Sequence, residues 1–281
     1  MGLNVALPMN DDRTAPLGVI AGNNRYPFLT LRAARAAGVQ RLGVVAFEGE
    51  TDPAIAELAD EIVWLRVGQL GKMLRQFKAW SINRAIMAGQ IAPKNLFELR
   101  PDFRALLLLG RLRERNAESL FGAVADELAG AGVTLLPATT YLEDLLATAG
   151  HLAGPKPGRT LRNDVEFGMR IAKETSRLDI GQSVVVKKGT VLAVEAFEGT
   201  DECIRRGGAL GRGGGVLCKV SKPNQDLRFD VPVIGPRTVE AASVANLSAI
   251  AIEADRTLLL ERERIFEIAA GTGVTLVGVE P

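Results

Sequence analysis

Leu17-Gly18-Val19-Ile20-Ala21-Gly22-Asn23-Asn24 is the stretch on which the fold of the first half turns. Five apolar or glycine residues run into Gly-Asn-Asn, the pattern of a buried strand ending in a turn. Apolar and basic residues then alternate through Ala37, Gly38 punctuates, and residues 41–47 form a second apolar run, so a strand, helix and strand are predicted. Asp52-Pro53 carries the cap-and-proline signature of another helix start. Residues 62–65 and 84–88 read as further strands. Between them, Leu70, Met73, Leu74 and Phe77 share one face of a helix over 70–80. A helix over 119–131 and a strand over 133–136 complete the series. Strands alternating with helices imply a parallel sheet.

The fold class expected is therefore α/β, with a Rossmann-like N-terminal domain over residues 1–136 and a mixed α+β C-terminal domain over 161–281. Residues 137–160 are expected to link them. Within that linker, 141–149 is predicted as a helix, and the Gly- and Pro-rich run 150–158 is predicted to hold no regular structure. Beyond it, a helix over 164–176 precedes a hairpin in which 183–186 and 190–195 flank a Lys187-Lys188-Gly189 turn. Residues 206–215 contain six glycines and are predicted as a flexible loop, either a phosphate loop or a lid, before a strand over 216–220. A helix from Pro236, strands over 249–252 and 274–279, a short segment at 257–260 and a helix over 261–270 close the chain.

Composition narrows the chemistry. The 281 residues, 47% of them hydrophobic, suffice for two modest cores at roughly 100–200 residues per domain. Lys and Arg total 34 against 33 Asp and Glu, so no net positive field exists to hold nucleic acid, and no nucleic-acid partner is expected. Asp11 and Asp12 stand where a secretory signal would need basic and then apolar residues, and apolar runs such as 105–109 fall far short of the ~18–20 residues of a spanning helix. A soluble, cytoplasmic protein is expected. Cys203 and Cys218 are separated by 14 intervening residues without a CxxC pattern, which points to inert buried thiols. His151 is the single histidine, which excludes multi-histidine dimetal phosphatases and leaves carboxylates, lysines, arginines and backbone to carry any phosphate chemistry.

Three loop tips should share the carboxyl edge of the first sheet: Gly22-Asn23-Asn24, Gln69-Leu70-Gly71-Lys72, and Gly89-Gln90. The first lacks both the GxGxxG spacing and a Walker lysine. Its backbone N–H groups and helix dipole could face an anionic or uridyl group, or the three tips could be ordinary polar turns. In the second half, Glu195-Ala196-Phe197-Glu198-Gly199-Thr200-Asp201 packs three carboxylates into seven residues. Thr200 or Asp201 can cap a helix starting at Glu202. Glu195 ends an apolar strand, where a carboxylate is costly without a partner. Lys219-Val220-Ser221-Lys222-Pro223-Asn224-Gln225-Asp226-Leu227-Arg228-Phe229-Asp230 mixes two lysines, an arginine and acids. Such a loop suits a diphosphate: cations balance its oxygens, and an acid holds Mg²⁺ or orients water.

Taken together with Gly18–Gly22, the runs Leu192–Asp201 and Lys222–Pro236 resemble the UDP-2,3-diacylglucosamine pyrophosphohydrolases of lipid A synthesis, the type without a histidine-rich dimetal centre. The likeness extends from about residue 16 to residue 279. It implies Mg²⁺-dependent cleavage of UDP-2,3-diacylglucosamine to UMP and 2,3-diacylglucosamine 1-phosphate, a homodimer, and transient contact with the cytoplasmic face of the inner membrane. Carried over by residue, Asp226 takes the essential aspartate position, as metal ligand or as the group that orients water. Lys222 and Arg228 become neighbouring phosphate contacts, and Glu195, Glu198, Thr200 and Asp201 fall in the family's other motif. From their own positions, Thr200, Lys219 and the loop-tip residues Gly22, Asn23, Asn24, Gln69, Gly71, Lys72, Gly89 and Gln90 are further candidate substrate contacts. Glu195, Glu198, Asp201 and Asp226 become candidate metal ligands. Asn23-Asn24 departs from the glycine frequent in that family, so the Asn side chains rather than close backbone approach could meet the nucleotide. A non-catalytic carrier of a UDP-sugar or lipid precursor, and a transferase using a UDP-sugar, are the competing readings.

Overall fold

The computed structural model describes residues 12–91, 101–112, 117–223 and 225–281; Asp11 and Asn224, quoted above, lie outside them. The chain divides into two compact units, Met1–Tyr141 and Leu142–Pro281.

In the first unit the chain runs β1 (Leu17–Ala21), α1 (Tyr26–Ala36), β2 (Leu42–Phe47), a 3-10 turn (Pro53–Leu58), β3 (Glu61–Leu65), α2 (Leu70–Ala79) and β4 (Arg84–Ala88). Then follow α3 (Phe103–Arg111), α4 (Ala117–Gly130) and β5 (Thr134–Leu135). Among the described residues these strands form one parallel sheet in the order β3-β2-β1-β4-β5. This is the Rossmann-like arrangement expected, with the chain order reversing between β1 and β4. Strand β1 lies in the middle and is buried throughout, which is why its sequence is continuously apolar. Gly18 and Gly43 are register partners, and their missing side chains leave the space that Phe77 and Trp80 fill from the α2 side. Phe77 is fully buried and meets Trp80 edge to face at 6.2 Å. Burial of one such ring stabilises by about 1.5–3 kcal/mol. The helix expected at Asp52-Pro53 is a single 3-10 turn, although Asp52 does cap it, accepting from Ala54 N–H at 3.0 Å.

The second unit contains β6 (Gly150–Ala153), α5 (Arg159–Arg177), β7 (Ser183–Lys187), β8 (Thr190–Val194), α6 (Thr200–Gly211) and β9 (Val216–Lys219). It continues through β10 (Val233–Ile234), α7 (Pro236–Val244), β11 (Ala249–Glu253), β12 (Leu258–Leu259), α8 (Arg262–Thr272) and β13 (Thr275–Val279). The main sheet has the order β6-β13-β11-β9-β7-β8, with β9, β11 and β13 parallel and the flanking strands antiparallel; β10 and β12 pair separately. Alternation along the strands sends Val184, Val186, Cys218 and Ala251 toward Val165, Met169 and Ala172 of α5. Val185, Leu217, Ile250 and Ile252 face the opposite side, against Cys203, Ile204, Val239, Ala242 and Ile265. The hairpin turn is held by the buried Asp164 carboxylate, which accepts from Lys188 N–H at 2.8 Å and Gly189 N–H at 2.9 Å.

Three expectations are corrected here. Residues 141–149 hold only a short 3-10 turn, Glu143–Leu145, because tertiary partners take the backbone that a helix would use: Ala147 N–H reaches Thr257 O at 2.9 Å and Asp255 N–H reaches Ala147 O at 2.8 Å. The supposedly structureless Gly150–Ala153 is a strand, recruited by β13 from more than 100 residues away in the chain. His151 sits on it, exposed, with Nε2 3.0 Å from Gly154 O. Finally, the glycine-rich 206–215 is not a loop for most of its length, since α6 continues to Gly211. A methyl group on Gly207 would strike Val185, and one on Gly208 would strike Ala245. The glycines therefore serve close packing of α6 on β7 and on the end of α7.

Candidate active site

The carboxyl ends of β1 and β4 meet where the first sheet reverses its order. Gly22 N–H donates to Ala88 O and Asn23 N–H to Gln90 O, each at 2.8 Å, and Asn23 and Gln90 form an antiparallel bridge. Gly89 permits this crossing with φ 90°; a Cβ there would lie 2.5 Å from Asn23 O. The backbone donors of Gly22 and Asn23 are thus taken by protein, a correction to their expected role of facing an anion. What that edge presents is side chains. Asn23 Nδ2 donates to Glu50 Oε2 at 2.9 Å and Asn24 Nδ2 to Asn23 Oδ1 at 2.6 Å. At the start of α2, Gln69 Oε1 turns back to Arg66 N–H at 3.2 Å. Gly71 N–H and Lys72 N–H both donate to Asp102 Oδ2, at 2.7 and 3.3 Å. A helix N-terminus attracts anions, and here Asp102 of the protein itself occupies that place. Asp102 was not singled out from sequence.

In the second unit, β8 runs antiparallel to β7 and β7 antiparallel to β9, so the ends of β8, β9 and β11 fall along one edge of the sheet. Glu195 follows β8, with its N–H on Ser183 O at 2.8 Å. Helix α6 begins at Thr200, behind Gly199, rather than at Glu202. The Thr200 hydroxyl is therefore not a cap. It donates to Glu195 Oε1 at 2.8 Å and accepts from Lys219 Nζ at 2.9 Å. Glu195 Oε2 is buried and lacks a hydrogen-bond partner. Three expected site residues, Glu195, Thr200 and Lys219, are in this way brought into one chain of contacts that ends in a buried carboxylate oxygen without a hydrogen-bond partner.

The remaining carboxylates are separately engaged. Glu198 accepts from Ala196 N–H at 3.1 Å and pairs with Arg206; its own backbone N–H, Arg206 and Ala196 N–H together hold its carboxyl below the usual range. Asp201 faces Arg237 at 3.2 Å on the exposed side of α6. Asp226 is gripped by Arg228, with Nε 2.9 Å from Oδ1, Nη2 2.6 Å from Oδ2, and Arg228 N–H 3.0 Å from Oδ1. The Arg228 side chain is the main cause of a carboxyl held below its ordinary range, and it outweighs the partial burial that would raise it. Lys222 pairs with Asp179, and its N–H donates to Gln225 Oε1 at 2.8 Å. Among the described residues, Glu195, Glu198, Asp201 and Asp226 do not converge, and no group of three or more His, Cys, Asp or Glu side chains could hold a metal ion. Mg²⁺, however, is commonly held by one or two protein carboxylates, the other oxygens coming from phosphate and water. Either carboxylate taken singly, Glu195 with an oxygen that lacks a hydrogen-bond partner or Asp226, has the chemistry for that smaller requirement.

Glu253, at the end of β11, is fully buried and was missed. Its Oε2 accepts from Ser221 N–H at 2.6 Å and from the Ser221 hydroxyl, and Lys173 of α5 forms an ion pair with Oε1. That contact lacks hydrogen-bond alignment at Oε1, and the attraction is that of charges in close approach. The signal was present in the sequence: Ala249-Ile250-Ala251-Ile252-Glu253 ends an apolar strand on a carboxylate, as Glu195 does.

Comparison with known proteins covers both units. Residues 16–145 match the family model of the LpxI N-terminal domain, and residues 148–277 that of the LpxI C-terminal domain. The chain is 32% identical over 276 residues to the UDP-2,3-diacylglucosamine pyrophosphatase LpxI of Caulobacter vibrioides, covering 94% of this chain and 98% of that relative. Matches of this extent, over both units and in their order along the chain, show that the protein belongs to the LpxI family.

Proposed function

We propose that this LpxI-family enzyme hydrolyses the diphosphate of UDP-2,3-diacylglucosamine, releasing UMP and 2,3-diacylglucosamine 1-phosphate. The observation that carries the reading is the near full-length match to a pyrophosphatase of that substrate. The second unit supports it with three cations, Lys219, Lys222 and Arg228, and two acids, Glu195 and Asp226, of suitable chemistry. Lys and Arg offset the charge on phosphate oxygens, and Arg228 can engage them in pairs.

Asp226 has a depressed pKa, so near neutral pH it is ionised and a poor store for a proton. We infer that it acts as a fixed acceptor, orienting the attacking water or holding metal. Mg²⁺, held by a single one of these carboxylates, Glu195 or Asp226, with water and phosphate oxygens completing its shell, would neutralise diphosphate oxygens. Any nucleotide contact made by the first unit is left to side chains such as Asn24, Gln90 and Lys72, since neighbouring backbone donors and the Asn23 amide are engaged. The acyl chains need apolar contact, and Phe197, 83% exposed in the turn after Glu195, offers one. No described helix is long and apolar enough to cross a membrane. Transient contact with the inner-membrane surface, and a homodimer, complete the proposal; vesicle flotation and light scattering test them.

The deciding experiment incubates the purified chain with Mg²⁺ and UDP-2,3-diacylglucosamine and follows products by mass spectrometry. UMP and the 1-phosphate are expected without any acceptor. Binding without products would indicate a carrier, and products only with an added acceptor a transferase.

A further inference from the structure

Every polar group of Ser221 is held from elsewhere in the second unit. Its N–H and hydroxyl donate to Glu253 Oε2, and its carbonyl accepts from Lys173 Nζ at 3.2 Å. Lys173 in turn pairs with the other Glu253 oxygen. Thus α5 and β11 meet on the one residue that separates Val220, tied to Gln182 O at 2.9 Å, from the loop carrying Lys222 and Asp226. From there the chain turns tightly, with Lys222 N–H on Gln225 Oε1 at 2.8 Å and Gln225 N–H on Lys222 O at 3.2 Å.

We propose that Lys173, Glu253 and Ser221 are a positioning unit that aims the main chain into the Lys222–Asp226 loop, and so sets turnover at Asp226. Fold stability alone does not call for it. Residues 249–252 of β11 are fully buried and apolar, so an apolar residue at 253 would continue the strand. A buried ion pair is often no more stabilising than apolar residues of similar size. What an apolar side chain lacks is direction. The carboxylate and ammonium grip the N–H and C=O on either side of one α-carbon and leave the chain a single exit. Displacement of a reacting group by about 1 Å can cost about 10²-fold in rate.

The inference rests on the reading of Asp226 as part of a hydrolytic site, and the test separates the two. Single-turnover and steady-state rates on UDP-2,3-diacylglucosamine are measured for Glu253→Gln, Asp226→Asn and the double variant, with circular dichroism on each preparation. Glu253→Gln should lower kcat about 10²-fold and leave KM nearly unchanged. The double variant should be no slower than Asp226→Asn alone, because a group acting through Asp226 has nothing left to position. A wild-type kcat for folded Glu253→Gln, or losses that multiply in the double variant, would overturn the inference. Full activity in Asp226→Asn would instead overturn the functional reading. Ser221→Ala keeps the Lys173–Glu253 ion pair and removes the hydroxyl contacts, to Glu253 and, at 3.4 Å, from Arg256. It should show a smaller loss of the same kind, and it carries the same cycle if Glu253→Gln does not fold.

Discussion

Arg228 closes on Asp226 at both carboxylate oxygens, Nε 2.9 Å from Oδ1 and Nη2 2.6 Å from Oδ2, from only two residues along the chain. The pair is local, so it forms with the loop. Asp226→Ala should leave the fold intact and slow hydrolysis by about 10²–10⁴-fold, the usual cost of removing a positioned acid or base, while substrate binding changes far less. Equilibrium binding and single-turnover rates on one preparation check this, and near-normal turnover in folded protein would remove Asp226 from its central role.

The same pair sets a pH dependence. Arg228 lowers the Asp226 pKa in the folded state. Its stabilising effect is therefore present above the unfolded value, near about 3.9 for aspartate, and is lost as pH falls through the folded value. Arg228→Gln should raise the folded value. The acid limb of the kcat/KM profile, which reports the free enzyme, should move to higher pH, and an unmoved limb would mean that Asp226 ionisation does not control it.

Chelation should stop hydrolysis, and added Mg²⁺ should restore it. Oε2 of Glu195 is buried without a hydrogen-bond partner. Glu195→Gln keeps its shape and removes its charge, so the Mg²⁺ concentration giving half-maximal rate should rise. Full activity in excess chelator would eliminate the metal from the proposal.

Gly207→Ala and Gly208→Ala test the tight packing of α6. Alanine gains about 1 kcal/mol of helix propensity over glycine. Against that, the added methyl strikes Val185 in one case and the Ala245 backbone in the other. Overpacking typically costs about 1–3 kcal/mol, and Gly208 should suffer more because backbone yields less than side chain. Thermal unfolding should show both variants destabilised; a raised Tm would mean that the helix is not seated as described.

Both cysteines are buried and free. Burial pushes the Cys203 thiol up to about 12 and raises Cys218 as well. Neither should react with a thiol reagent at pH 8 in native protein, and both should react once denaturant unfolds it. Rapid labelling of native protein would contradict their burial.

Local pattern carried most of the first unit. A strand such as Leu17–Ala21 and an amphipathic helix such as Leu70–Ala79 show their burial in their own residues, and alternation of the two forces parallel pairing. Motif spacing likewise brought Glu195, Thr200, Lys219, Lys222, Asp226 and Arg228 forward as candidates. The sequence by itself therefore determined the α/β class, the family resemblance and most of the charged groups proposed to meet diphosphate. It could not tell which donors were already in use. Gly22 and Asn23 spend their N–H groups on residues 88 and 90, and Gly71 and Lys72 spend theirs on Asp102, through contacts made only when distant segments meet. The same reason hid the strand at Gly150–Ala153, which exists because β13 pairs with it, and the tight seating of Gly207 and Gly208. It also hid the joining of Lys173, Ser221 and Glu253, drawn from a helix, a loop and a strand end far apart in the chain. Periodicity reports which face of an element is buried; the partner found there is decided by tertiary packing, which satisfies each buried polar group with whatever residue the fold brings to it.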